Sequence, residues 1–361
     1  MGAQTIRHGL FLLVLALIVS AGEAAPPQSV SAAISTPTVI AGIPPAPRVG
    51  NRFRNLDPEY HRASIWARAR SLVIGGTWLI GERRVAALPI VTPDVPALRV
   101  NSSRPTVTWI GHSTLLVQLD GVNFLTDPTW AGRTGPFGGV VGVGRYTPPA
   151  IAFDDLPRID FVLISHDHYD HLDEPTVRHL ASKFNPRFVV PLGIKKWLED
   201  RGITNAVELD WGESVKIRGL TVVCTPAQHG SGRTLIDQGR RLWASWAVLG
   251  SKRFYFAGDT GYYHHFKDIG EALGPFDLAA LPIGSYTPRA LAKPVHMSPE
   301  EALEAWVDLK ATKFLGIHWG TFELAREPYD EPPRRIAAEV ARLHLDSNSV
   351  WILKPGVTTA W

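Results

Sequence analysis

The 361 residues include 45% hydrophobic side chains, and 37 lysines and arginines stand against 34 aspartates and glutamates. That apolar content belongs to a chain with a proper core and excludes wholesale disorder, while so small a basic excess, without long basic runs, offers no footing to a nucleic-acid partner. Cys224 is the only cysteine, so no intrachain disulfide can form.

Arg7 and His8 precede an apolar run over 9–21 and small residues over 22–25. This is the pattern of a secretory signal peptide spanning 1–25, and the run is shorter than the roughly 20 residues a membrane span needs. The expectation is a periplasmic or secreted protein. Residues 26–50 are rich in Ala, Pro, Ser and Thr without a sustained periodic face, and read as a tether. Residues 51–361 read as one domain with an N-terminal extension. Within that extension 64–74 predicts a helix, and Trp66 and Trp78 stand among arginines. Such a segment either caps the domain or makes a peripheral membrane contact, and capping is the commoner case.

Strands are predicted over 106–110 and 115–119, and Asp120-Gly121 is a tight-turn signal leading into a third strand over 122–126. His112 sits in the first of these turns, either as a polar turn residue or facing a cleft. Asp127 follows the third strand within Thr-Asp-Pro, again as a turn residue or as a carboxylate steadying a neighbouring imidazole.

Residues 159–164 are apolar apart from Asp160, which suits a strand buried on both faces. Directly behind it runs Ser165-His166-Asp167-His168-Tyr169-Asp170-His171-Leu172-Asp173. His166 and His168 are two apart, so in an extended chain they point the same way and can share a cation. Asp170 and His171 are spaced to serve a second cation nearby. Imidazole with carboxylate suits zinc first, with iron or manganese as alternatives.

Beyond this loop the chain alternates. A helix is predicted over 175–184, a strand over 188–190, and a helix over 194–201 stopped by Gly202. The strand predicted over 220–225 delivers His229, and that over 254–257 delivers Asp259 within Gly-Asp-Thr-Gly. A strand over 277–283 precedes Ser298-Pro299-Glu300-Glu301, which opens a helix with a capping box and a proline in its first turn. A last strand over 313–317 ends at His318. Candidate ligands therefore follow the ends of four separate strands, enough for two cations with a position left for water.

These stretches resemble the metallo-β-lactamase fold superfamily, and within it the N-acylphosphatidylethanolamine-hydrolysing phospholipase D group. The resemblance is carried by Trp109-Ile-Gly-His-Ser, Leu125-Thr-Asp-Pro, the Ser165 to Asp173 run, Gly258-Asp-Thr-Gly-Tyr, His296-Met-Ser-Pro-Glu-Glu-Ala and Ile317-His-Trp-Gly-Thr-Phe. It implies an α/β fold, the four-layer αββα sandwich of metallo-β-lactamase type. It also implies that His166, His168 and His229 hold one metal, that Asp170, His171 and His318 hold the other, and that Asp259 bridges the two, most simply with two zinc ions.

Two cations about 3.5–4 Å apart can activate a bridging water and clamp both oxygens of a displacement at phosphorus. The implied substrate is a small-molecule or lipid phosphodiester. Tyr286, Arg289 and His296 lie in the loop before the Ser298 helix, where Tyr286 and Arg289 would meet substrate and His296 would transfer a proton. Gly230, Thr287 and Ala290 depart from the resembled group at the substrate mouth. A lactonase or β-lactamase-like hydrolase, and a non-catalytic metal-binding periplasmic protein, are the competing readings.

Overall fold

The computed structural model describes residues 36–57, 87–101, 103–139 and 141–361. The expected signal segment and the helix expected over 64–74 lie outside the described residues.

Two sheets carry the fold. The first runs, in spatial order, Thr38–Val39, Glu213–Ile217, Leu220–Thr225, Ser245–Leu249, Arg253–Phe256, Leu278–Pro282, Lys313–Ile317 and Val350–Trp351. The second runs Ala206–Leu209, Arg187–Pro191, Phe161–Leu163, Val122–Thr126, Thr114–Leu119, Thr106–Gly111 and Thr358–Ala360. Hairpins make the antiparallel parts, as where Thr114–Leu119 pairs with both of its neighbours. Parallel neighbours need a crossover, and helices supply it. Helix Glu174–Phe184 joins Phe161–Leu163 to Arg187–Pro191, and helix Pro299–Asp308 joins Leu278–Pro282 to Lys313–Ile317.

The alternation of side chains along each strand shows how the layers stack. In the second sheet Leu115, Val117, Leu119, Val122, Phe124, Phe161, Leu163 and Val189 join one buried cluster, which also holds Val222, Trp246, Val248, Phe254 and Phe256 of the first sheet. The intervening residues Leu116, Leu125, Val162, Phe188 and Val190 join another cluster, with Val177, Leu180, Ile194 and Leu198 from the helices. Period-two alternation thus splits the strands between an inter-sheet core and a sheet-to-helix core. On the far side of the first sheet, Phe266, Leu273, Leu303, Trp306 and Ile336 of three further helices pack inward. This is the expected αββα sandwich. Phe124 and Phe161 stack at 4.5 Å between the sheets, and burying each such ring contributes about 1.5–3 kcal/mol.

The tether expectation requires correction for residues 36–50. Thr38 and Val39 pair antiparallel with Ser214 and Glu213, and Ile43 and Ala46 are buried in the inter-sheet core. Scattered apolar residues without a period still reach a core when the segment lies along a sheet edge. Helix 194–201 ends earlier than expected, at Glu199. Strand Ser245–Leu249 and helices His265–Leu273 and Glu331–Arg342 were not anticipated. The last opens on Glu-Pro-Pro, which reads as a break, although proline is tolerated in a first helical turn because its missing N–H has no partner there anyway.

Candidate metal centre

The site forms where strands end. Leu163 leads to Ser165 and His166, Phe256 to Asp259, Thr225 to His229, and Ile317 to His318. The loops after neighbouring strand ends converge in one crevice, the usual place for a ligand in a sheet with parallel strands. His112 and His318 hold left-handed backbones, with φ of 52° and 59°, a conformation that side chains rarely adopt and that costs of order 1–3 kcal/mol. Gly258 is also left-handed, and a Cβ there would lie 2.4 Å from Cβ of Ser165. Gly258→Ala is expected to destabilise the fold by about 1–3 kcal/mol through overpacking, measured as a lowered midpoint in denaturant, and to loosen the metal loop.

Two groups of donor atoms meet. In one, Nε2 of His166 lies 2.8 Å and Nε2 of His229 lies 3.2 Å from Nδ1 of His168. Donors held about 2.0–2.1 Å from one tetrahedral zinc would stand about 3.3 Å apart. In the other, Nε2 of His171 lies 3.2 Å from both Oδ2 of Asp170 and Oδ2 of Asp259. Nε2 of His318 is 3.1 Å from Oδ1 of Asp259 and 3.5 Å from Oδ2 of Asp170. Asp259 Oδ2 is also 3.8 Å from Nε2 of His229, so one carboxylate faces both groups.

The ring tautomers follow from what stands behind the rings. Nδ1 of His171 donates to Asp127 Oδ2 at 2.6 Å. Ser165 Oγ donates to the same carboxylate at 2.5 Å and accepts from Nδ1 of His166 at 2.9 Å, while the Ser165 N–H donates to Asp127 Oδ1 at 2.6 Å. Nδ1 of His229 donates to the Val295 carbonyl at 2.9 Å. Each of these rings is therefore left with its Nε2 lone pair facing the centre. Replacing Asp127 by asparagine removes one acceptor from a fully buried network, and metal affinity should fall about 10–100-fold in chelator competition.

The residues fit a divalent cation on two grounds. Nε2 of His171, Nε2 of His318 and Oδ1 of Asp259 are buried and lack hydrogen-bond partners, although they lie within ion-pair distance of one another. A buried polar atom without a partner is costly unless something else satisfies it. Charge gives the second ground. Among the described residues the ion-pair partners of Asp170 and Asp259 are histidines alone. Burial disfavours the His318 cation, yet Asp259 and Asp170 hold its imidazole up to about 9. Burial likewise opposes the His171 cation, and Asp259, Asp170 and Asp127 still raise it well above its ordinary range. Burial, with neighbouring imidazoles, instead keeps His166 and His229 well below theirs, in the neutral form that a ligand needs. Positive charge is wanted between the carboxylates, and lone pairs point there.

His112, open between turn and cleft in the sequence, faces the centre. It is 1% exposed, its Nε2 donates to Asp170 Oδ2 at 2.9 Å, and its ring lies 4.1 Å from that of His318. His296 also reaches inward, with Nδ1 unpartnered and 3.9 Å from Asp259 Oδ2. Tyr286 does not meet the expectation of a substrate contact. It is 1% exposed, its hydroxyl donates to Glu331 at 2.8 Å, and the Arg335 guanidinium lies over its ring. Arg289 is likewise committed elsewhere, donating to both Glu301 carboxylate oxygens at 2.7 Å and to the His296 carbonyl at 2.9 Å. Its charge is neutralised and its place is behind His296, which it positions.

Two residues went unnoticed in the sequence. Ser165, adjacent to His166, could have been marked as a ring partner from its place in the motif. Asn55 could not: its amide donates to the His229 carbonyl at 2.9 Å and accepts from the His229 N–H at 3.1 Å across 174 positions of chain.

Residues 122–319 match the family model of the β-lactamase superfamily domain. The chain is similar to N-acyl-phosphatidylethanolamine-hydrolyzing phospholipase D 1 of Caenorhabditis elegans, 48% identical over 63% of this chain and 67% of that protein. It is 43% identical to an uncharacterized protein of Mycobacterium tuberculosis over 81% of this chain and 79% of that one. Among solved structures it is similar to Igni18, a metallo hydrolase of the archaeon Ignicoccus hospitalis, with a TM-score of 0.55 and 25% identity over 72% of this chain and 99% of that one.

Proposed function

This chain belongs to the β-lactamase superfamily, and within it we propose a binuclear phosphodiesterase of phospholipase D type, acting on N-acylphosphatidylethanolamine-like or related phospholipids. Metal-dependent hydrolysis is its chemistry at the coarser level. The observation that carries the finer reading is the placement of Asp259 between the His166, His168 and His229 nitrogens and the Asp170, His171 and His318 group. The name of the nematode relative supports the substrate class.

His166, His168 and His229 would hold one cation, Asp170, His171 and His318 the other, and Asp259 both, with zinc favoured by the donor set. When bound, such a pair lowers the pKa of a water and neutralises charge growing on phosphoryl oxygens. The chain's own part is positioning. Asp127 and Ser165 fix two ligand rings, Asn55 fixes the backbone of a third, and Arg289 holds the loop that presents His296. Burial brings His296 down to about 4, so at neutral pH its imidazole is uncharged, with Nδ1 3.9 Å from Asp259 Oδ2. In the net reaction water's oxygen bonds to phosphorus, the phosphorus–oxygen bond to the alcohol breaks, and a proton passes to that alcohol. Export, read from the N-terminal run, would place this activity in the periplasm or outside the cell.

The test is product analysis on the metal-loaded protein with phospholipid, lactone and β-lactam panels. A phosphatidic acid and an alcohol from the phospholipids, with the other panels untouched, is the expected outcome. Turnover of lactone or β-lactam alone would replace this reading.

A further inference from the structure

Asp167 stands between two members of the three-histidine group and is not one itself. Neighbouring side chains of an extended chain point opposite ways. With His166 and His168 turned to the centre, the Asp167 carboxylate is therefore turned from it. That carboxylate is buried, and each of its oxygens has a partner: Oδ1 accepts from the Gly232 N–H at 2.7 Å and Oδ2 accepts from Nε of Arg241. The Asp167 carbonyl accepts from Nη1 of Arg233 at 2.9 Å, and the same nitrogen donates to the Leu172 carbonyl at 2.8 Å. The Arg233 guanidinium is seated in turn over the Tyr169 ring, 4.0 Å from its centroid, and the Tyr169 hydroxyl donates to the Arg233 carbonyl at 2.8 Å. Arg241 also donates to Asp237.

Every partner of Asp167 named here belongs to 232–241, the stretch that follows His229, the third member of the group. One segment thus carries a ligand and fixes the backbone between the other two. His168 makes the tolerance narrow. It meets His166 and His229 through Nδ1, the ring nitrogen nearer the main chain. A shift of its backbone therefore passes to the donor atom with little side chain left to absorb it. A buried ion pair is little screened by salt, and a buried carboxylate deprived of its cation is costly, so the pairing of Asp167 with Arg241 holds the geometry firmly.

We propose that Asp167, locked to Gly232 and Arg241, is a positioning residue that sets His168 against His229 and so governs affinity for the cation at the three histidines. The inference rests on the binuclear reading given above. It adds a residue that acts on one cation and spares the other, because the Asp167 carboxylate bears on the backbone between His166 and His168.

The test is zinc binding to the full chain in competition with a chromophoric chelator, for wild type, Asp167→Asn and Arg241→Gln. Wild type should take two ions. Each variant should keep one at wild-type affinity and bind the other about 10–100-fold more weakly, the range for losing a group that orients a ligand. X-ray absorption at the zinc edge should then count two imidazoles on the retained ion, those of His171 and His318. Should either variant fail to fold, Arg241→Lys, which keeps the charge but moves the donor, reads the same selectivity on a smaller scale. Two ions at wild-type affinity in the variants, equal weakening of both ions, or three imidazoles on the retained one would overturn the inference and leave the binuclear reading in place. A wild type that holds a single ion overturns the binuclear reading. The inference then stands if that ion carries three imidazoles and is weakened in Asp167→Asn, and falls otherwise.

Discussion

Asp259→Ala is expected to lower kcat/KM by at least about a hundred- to a thousandfold, the range for losing one preorganised electrostatic group at a reacting centre, and to reduce the metal retained per chain. One carboxylate stands 3.1 Å from His318, 3.2 Å from His171 and 3.8 Å from His229. Its removal therefore weakens both groups at once, where loss of His168 would weaken one. It also leaves Asp170 as the one carboxylate facing the Nε2 atoms of His171 and His318 among the described residues. Asp259→Asn keeps the shape and loses the charge, so it should retain the fold, checked by thermal melting, while remaining deficient in metal. Wild-type turnover by either variant would remove Asp259 from the mechanism.

Chelation is expected to have the largest effect on stability. A cation present at about a thousandfold its Kd adds about 4 kcal/mol at a single site, so stripping it should lower Tm by roughly 6 °C in a domain of this size. The metal-free chain should also acquire its own pH dependence. His318, against the cost of burial, is held at about 9 by Asp259 and Asp170. A folded-state pKa above the unfolded value of about 6.5 gives stability that is complete below 6.5 and is lost as pH rises through 9. The chelated protein should therefore melt lower at pH 9 than at pH 6.5, and adding metal at pH 9 should restore Tm. Melting of the chelated protein that does not fall over this interval, or no effect of chelator at all, would count against cation-mediated cohesion of the centre.

The central features of both fold and site follow from local sequence. Apolar runs bounded by turns, such as Thr114–Leu119 before Asp120-Gly121, declare strands, although with all six of its residues buried the run does not declare which of them face each core, and the dense run from His166 to His171 declares a metal loop. What lay beyond reach was convergence over long separations. Asn55 lies in a segment with no motif, and only the tertiary fold brings its amide to His229. His112 could be a turn residue or a site residue until the partner of its Nε2 was seen. Tyr286 and Arg289 erred in the other direction: their side chains suit phosphate and substrate chemistry, but Glu331 and Glu301 take them first. Residues 36–50 look like linker because a two-residue edge strand and two buried side chains leave no periodic trace.

Anomalous diffraction at the metal absorption edge from crystals of the metal-loaded protein tests the paired centre most directly. The expected map has two peaks about 3.5–4 Å apart, one within bonding distance of His166, His168 and His229 and the other of Asp170, His171 and His318, with Asp259 touching both. A single peak, or peaks away from Asp259, would contradict it.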